Sequence, residues 1–166
     1  MGQWLALAAV VLSVGLLWRR ARRDDLRRAS AWDPLARDFM LGFDAGTQSI
    51  RGKYRLLRVE ITARRRFGLG ALRTRVSGEY EGVVPNGLTL SARGSELRSS
   101  ARSRETLAPW LDAHRRRELL PSLLQRGVQV SGHTVAVDVA GLLTDPDALR
   151  TLLGQLAELG KLLSLR

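Results

Sequence analysis

Apolar residues follow three different spacings along this chain. From Trp4 to Trp18, fifteen consecutive residues carry no charge, and no polar residue recurs at the 3.6-residue interval of a half-buried helix. Between Leu57 and Tyr80 the period falls to two. Leu57, Val59, Ile61 and Ala63 alternate with Arg58, Glu60, Thr62 and Arg64, and Leu72, Thr74, Val76 and Tyr80 alternate with Arg73, Arg75, Ser77 and Glu79. This is the pattern of strands with one wet and one buried face. After Asp145-Pro146, Leu149, Leu152, Leu153, Leu156, Leu159 and Leu163 restore helical spacing.

The remaining elements follow from turn and cap residues. Asp33-Pro34 reads as a helix start leading into Leu35 to Met40, and Gly42 with the turn from Asp44 to Gly46 ends it. A short strand over 49–54 precedes the alternating pair. Phe67-Gly68-Leu69-Gly70 joins that pair as a hairpin, and Pro85-Asn86-Gly87 turns the chain into a fourth strand at Leu88, Leu90 and Ala92. Residues 93–105 read as a loop, and 106–126 as a helix broken or kinked at Pro121. Val128 and Val130 pair with Val135, Val137 and Val139 as a second hairpin around Ser131-Gly132. The predicted class is α+β: a four-stranded antiparallel meander plus a hairpin, packed by two or three helices.

The uncharged stretch 4–18 predicts a transmembrane helix and contact with the lipid bilayer. At about 1.5 Å per residue its core is shorter than a hydrocarbon layer of about 30 Å. Flanking tryptophans and snorkelling arginines make up the difference. Arg19, Arg20, Arg22 and Arg23 follow at once and are expected to face headgroups. A secretory leader would carry its charge before the apolar core and a small-residue cleavage site after it; here the order is reversed. Ala6 stands where a myristoylation signal needs Ser or Thr. The organisation expected is an anchor over 1–18, a basic juxtamembrane helix or linker over 19–32, and one domain over 33–166. The arginines place that domain in the cytoplasm and the N-terminus outside a cell (inner) membrane.

Composition sharpens the picture in two places. The chain carries 27 basic residues against 16 acids, a net +11, and Lys53 and Lys161 are its only lysines. Removing the six arginines and two aspartates of 19–31 still leaves 21 basic residues and 14 acids. The excess concentrates between Arg51 and Arg75, where nine basic residues meet one acid, Glu60. Parity puts Arg58, Arg64, Arg73 and Arg75 on the wet face, a candidate anion-binding surface. It lacks interleaved aromatic residues for stacking bases, which weakens a nucleic-acid reading; the same arginines could meet acidic lipid headgroups, and a solvated, partly salt-bridged strand face accounts for them equally. There is no cysteine, so disulfides, thiolate nucleophiles and thiolate metal sites are excluded.

One local motif has a chemical precedent. Leu41-Gly42-Phe43-Asp44-Ala45-Gly46-Thr47-Gln48-Ser49-Ile50-Arg51 resembles the first phosphate loop of actin-like sugar kinases. That resemblance implies an Asp serving metal-water and phosphate chemistry at position 44, with Gly46 and Thr47 lending donors to a nucleotide. It spans eleven of 166 residues, and no second phosphate loop follows. A turn before the first strand accounts for the same residues. Elsewhere His114 sits beside Arg115 to Arg117, which disfavours its protonated form. His133 and Asp138 form the other imaginable catalytic pair, and two histidines nineteen apart make a poor metal site. Gly68-Leu69-Gly70 fails the dinucleotide fingerprint, since Arg73 occupies the third glycine's place.

No residue set calls for a cofactor or metal. The expectation is a single-pass membrane protein whose domain binds a protein partner or its own copy without catalysis. The alternative is a membrane-proximal anion-binding domain, for acidic lipid headgroups or nucleic acid, working through Arg58, Arg64, Arg73 and Arg75; an enzyme built around Asp44 and Thr47 or His133 and Asp138 is the third reading.

Overall fold

The computed structural model describes residues 2–65, 71–93, 96–124 and 127–164; the side chains of 2–11, 16, 17, 20, 21, 24, 93, 96, 114 and 115 also lie outside the description. The protein is α+β. Among the described residues the strands are β1 (Gly42–Asp44), β2 (Ser49–Tyr54), β3 (Leu57–Arg65), β4 (Leu72–Glu79), β5 (Thr89–Arg93), β6 (Glu96–Ser100), β7 (Gln129–Ser131) and β8 (Thr134–Ala140). The helices are α1 (Gly2–Asp38), α2 (Arg104–Asp112), α3 (His114–Leu124) and α4 (Pro146–Ser164).

All eight strands form one antiparallel sheet in the order β1-β2-β3-β4-β8-β7-β5-β6. The alternating residues behave as their period predicts. Leu57, Val59, Ile61, Val76, Val135, Val137 and Val130 are buried on one face, where Leu120 and Leu124 of α3 and Leu149, Leu153, Leu156 and Leu159 of α4 join them in the core.

The sheet departs from a meander plus a separate hairpin. The strand at Leu88 to Ala92 does not follow β4, whose second neighbour is β8. Tyr80 ends β4 by turning into the core and donating its hydroxyl to the Gly132 carbonyl at 2.8 Å. Nine residues, 80–88, then separate β4 from β5, far more than a tight hairpin uses. The expected loop over 93–105 contains β6. Its Arg98, Ser99 and Ser100 are exposed, as an edge strand permits, so polarity concealed it. The helix over 106–126 is two helices, broken at Ala113 (φ −52°, ψ 121°), while Pro121 lies inside α3.

The largest correction concerns the helix expected to start at Asp33-Pro34. Instead α1 runs unbroken through both residues. Asp33 pairs with Arg37 one turn on rather than capping a new helix. Pro34 forfeits one backbone hydrogen bond, a cost offset by what precedes it: Trp32 is fully buried, and its Nε1 donates to the Leu143 carbonyl at 2.8 Å. The Leu143 N–H in turn donates to Thr74 Oγ1 at 2.9 Å, and that hydroxyl donates to the Gly141 carbonyl at 2.8 Å. Through this relay the last turns of α1 are fastened to β4.

Among the described residues no helix is long and apolar enough to cross a membrane. The side chains of most of 4–18, on which the expectation of a span rests, lie outside the described residues.

Candidate functional site

The sheet buries one face under helices and leaves the other open. Register fixes what stands side by side on the open face. One row reads Arg51, Glu60, Ser77, Ala136; the next on one side reads Lys53, Arg58, Glu79, Thr134. On the other side come Ser49, Thr62, Arg75, Asp138, and then Arg64, Arg73, Ala140.

The four arginines singled out by parity all point outward, but the structure does not gather them into one site. Arg58 approaches Glu79 at 4.0 Å and Arg75 reaches Asp138 at 3.4 Å, so both are charge-balanced across the strands. Arg64 and Arg73 face each other directly, both exposed, and neither has an acid partner among the described residues. Six residues of extended strand, roughly 20 Å, separate Arg58 from Arg64. On α1, Arg19, Arg22 and Arg23 are exposed and Arg22 stacks over Trp18 at 5.3 Å; the side chain of Arg20 lies outside the described residues.

At the Arg58 end the twisted sheet forms an open hollow of about 1050 Å³. Arg51, Lys53 and Arg58 line it against Glu60, Glu79 and Glu81, with Leu56 and His133 beside them. Arg51 holds Glu60 through Nε at 2.9 Å and Nη2 at 2.6 Å. Leu56 is 67% exposed. Parity indicates that Arg51, Lys53 and Glu79 face outward; what it could not indicate is which end of the face is concave, because that depends on twist and strand order. In the lining of the hollow, the His133 ring lies 5.8 Å from that of Tyr80, whose hydroxyl pKa is pushed up by burial.

The loop that resembles a kinase phosphate loop joins β1 to β2. Asp44 Oδ1 accepts the N–H groups of Gly46 at 2.8 Å and Thr47 at 3.2 Å, while Oδ2 accepts the Thr47 hydroxyl at 2.7 Å. The carboxylate thus closes its own turn. The Thr47 side chain, then the Thr47 and Gly46 N–H groups, hold the Asp44 pKa below the ordinary aspartate value. A depressed folded-state pKa favours the folded turn above the unfolded value, and this contribution is lost as pH falls through the folded value. The Asp44 carboxyl should therefore titrate by carbon-13 NMR below the ordinary aspartate midpoint, and Thr47→Val should move it upward. Titration at the ordinary value in both proteins would contradict the turn geometry.

His133 and Asp138 are not brought together. His133 immediately precedes β8, Asp138 lies five positions on within it, and Asp138 serves Arg75. The side chain of His114 and the Gly68-Leu69-Gly70 segment lie outside the described residues. Among the described residues, no group of three or more His, Asp or Glu is placed to hold a metal.

No family model, curated protein or solved structure matches this chain, so the functional reading rests on the geometry of its sheet.

Proposed function

We propose that this chain is a single-pass membrane protein whose domain is a non-catalytic interaction module, taking a protein partner or a second copy of itself on the open sheet face. The observation that carries this reading is the one-sided sheet, with its hollow of about 1050 Å³ and an exposed Leu56 at the edge. Three cations and three acids in that hollow cancel in formal charge, so its field does not favour a free anion. Interdigitated opposite charges beside an apolar contact suit a protein surface of matching pattern. The anchoring half of the reading is supported by the uncharged run Trp4 to Trp18 followed at once by arginines. The positive-inside rule then puts the domain in the cytoplasm.

The chain has no cysteine, so single substitutions report topology cleanly. Gln3→Cys should react with an impermeant maleimide on intact cells, and Ser99→Cys, on an exposed edge strand, only after lysis. Labelling at position 99 from outside would reverse the orientation, and release of the chain by an alkaline wash would remove the anchor. For the binding half, a photo-crosslinker at Leu56 should give a discrete adduct in cells while one at Ser99 gives none. Equal, diffuse adducts from both positions would count against the hollow.

A further inference from the structure

Three of the charged cross-strand pairs on the open face are complementary: Arg51 with Glu60, Arg58 with Glu79, and Arg75 with Asp138. Two like-charged pairs break the pattern, Lys53 with Arg58 and Arg64 with Arg73; Arg58 has Glu79 on its other side, whereas Arg64 and Arg73 have no acid partner among the described residues. Like charges directly opposite each other destabilise a sheet. From Ile61 to Gly78 the sequence contains five arginines and no acid. The nearest acid across the face, Asp138, is already engaged by Arg75.

The position of this pair relative to α1 is fixed by contacts. Just past the end of α1, the Phe39 ring lies 6.4 Å from that of Tyr54, beside the β2–β3 turn. Two turns earlier, Trp32 is joined through Leu143 to Thr74, the neighbour of Arg73, near the opposite end of the sheet. Followed toward its N-terminus, α1 therefore travels from the Tyr54 end to the Arg73 end and leaves the domain there. Between Trp18 and Trp32 the helix is unbroken, about 21 Å at 1.5 Å per residue, so this end of the sheet meets the leaflet only when α1 is steeply tilted from the bilayer normal.

We infer that Arg64 and Arg73 form a clamp for the phosphate groups of anionic phospholipids, docking this end of the sheet on the leaflet that holds α1. The inference rests on the membrane anchoring proposed above and adds the ligand and the orientation. Two guanidinium forks on directly opposed residues offer paired donors to a phosphate oxyanion, which relieves the repulsion between them. Nucleic acid is disfavoured because the outward rows of β2, β3, β4 and β8 hold no aromatic ring. In this orientation the hollow at Leu56 points away from the membrane.

The full chain is reconstituted into vesicles of phosphatidylcholine alone, or mixed with phosphatidylglycerol. A donor dye is placed at Ala71→Cys, near the clamp, or at Leu56→Cys, at the far end, and energy transfer to acceptor-labelled lipid is read. Mixed vesicles should give strong transfer from position 71 and weak transfer from 56. Arg64→Ser/Arg73→Ser should lower the docked-to-free ratio at position 71 about thirtyfold, at about 1 kcal/mol for each arginine lost. Arg98→Ser/Arg104→Ser, which removes the same charge from other exposed positions, should leave it unchanged.

Equal transfer from position 71 in both vesicle types, or an equal loss with both double variants, would overturn the inference. So would release by inorganic phosphate at matched ionic strength, which would mark a site for the free ion. Flotation with phosphatidylcholine vesicles reads the anchor separately. If the chain fails to float with them, the anchoring has failed, and flotation with mixed vesicles that requires Arg64 and Arg73 would still support the clamp, whereas its absence would end it.

Discussion

Trp32→Ala is expected to cost about 3–5 kcal/mol, a large share of the roughly 5–15 kcal/mol available to a domain of this size. The indole is fully buried, so truncation opens a cavity among Leu35, Leu143 and their neighbours. It also strands the Leu143 carbonyl, which accepts the Nε1 proton. Trp32→Phe keeps a six-membered ring but loses the pyrrole ring and that bond, for about 1–3 kcal/mol. Thr74→Val should cost a similar amount, because it strands the Leu143 N–H and the Gly141 carbonyl together. Urea unfolding of the full chain in detergent, followed by far-ultraviolet circular dichroism, gives the comparison. A Trp32→Ala protein within about 0.5 kcal/mol of wild type would show that α1 is not fastened to the core as described.

The second large effect centres on Leu57, which is fully buried between two glycines. A Cβ on Gly160 of α4 would lie 2.7 Å from Leu57 Cδ2, and one on Gly78 of β4 would lie 2.8 Å from Cδ1. Gly→Ala inside a helix ordinarily stabilises by up to about 1 kcal/mol. Here Gly160→Ala is expected to destabilise by about 1–3 kcal/mol, since the added methyl meets a side chain with nowhere to move. Leu57→Ala alone should cost about 2–5 kcal/mol. Combined, the two should cost less than their sum, because the new methyl occupies part of the vacated space. Additive losses, or a stabilising Gly160→Ala, would contradict the close approach of α4 to the sheet.

Strand content was legible because a sheet covered on one side writes its two faces into alternate residues, as in Leu57 to Arg64 and Val135 to Ala140. What escaped has physical causes. Glu96 to Ser100 is an edge strand with little to bury, so no periodicity marks it. The placement of β8 beside β4 depends on pairing between residues about sixty positions apart, which local spacing does not encode. Asp33-Pro34 carries every local sign of a helix start, yet the burial of Trp32 one residue earlier extends the helix straight through it. A lone tryptophan after a run of arginines was the available signal. At the open face, parity alone placed the four arginines. Their sorting into balanced pairs and one unbalanced pair required the register, in which Glu79 and Asp138 reach across to Arg58 and Arg75.

The central claim is that the domain works by binding a partner in the hollow beside Leu56, independently of the basic end of its sheet. Affinity capture of the full chain from detergent-solubilised membranes tests it, comparing wild type, Leu56→Glu, and a version with Arg64, Arg73 and Arg75 changed to Ser, each at low and high salt. The account predicts a discrete protein, or a second copy of the chain, that survives high salt and the arginine substitutions and is lost with Leu56→Glu. Recovery of anionic lipid or nucleic acid alone, lost with the arginines and indifferent to Leu56, would contradict it.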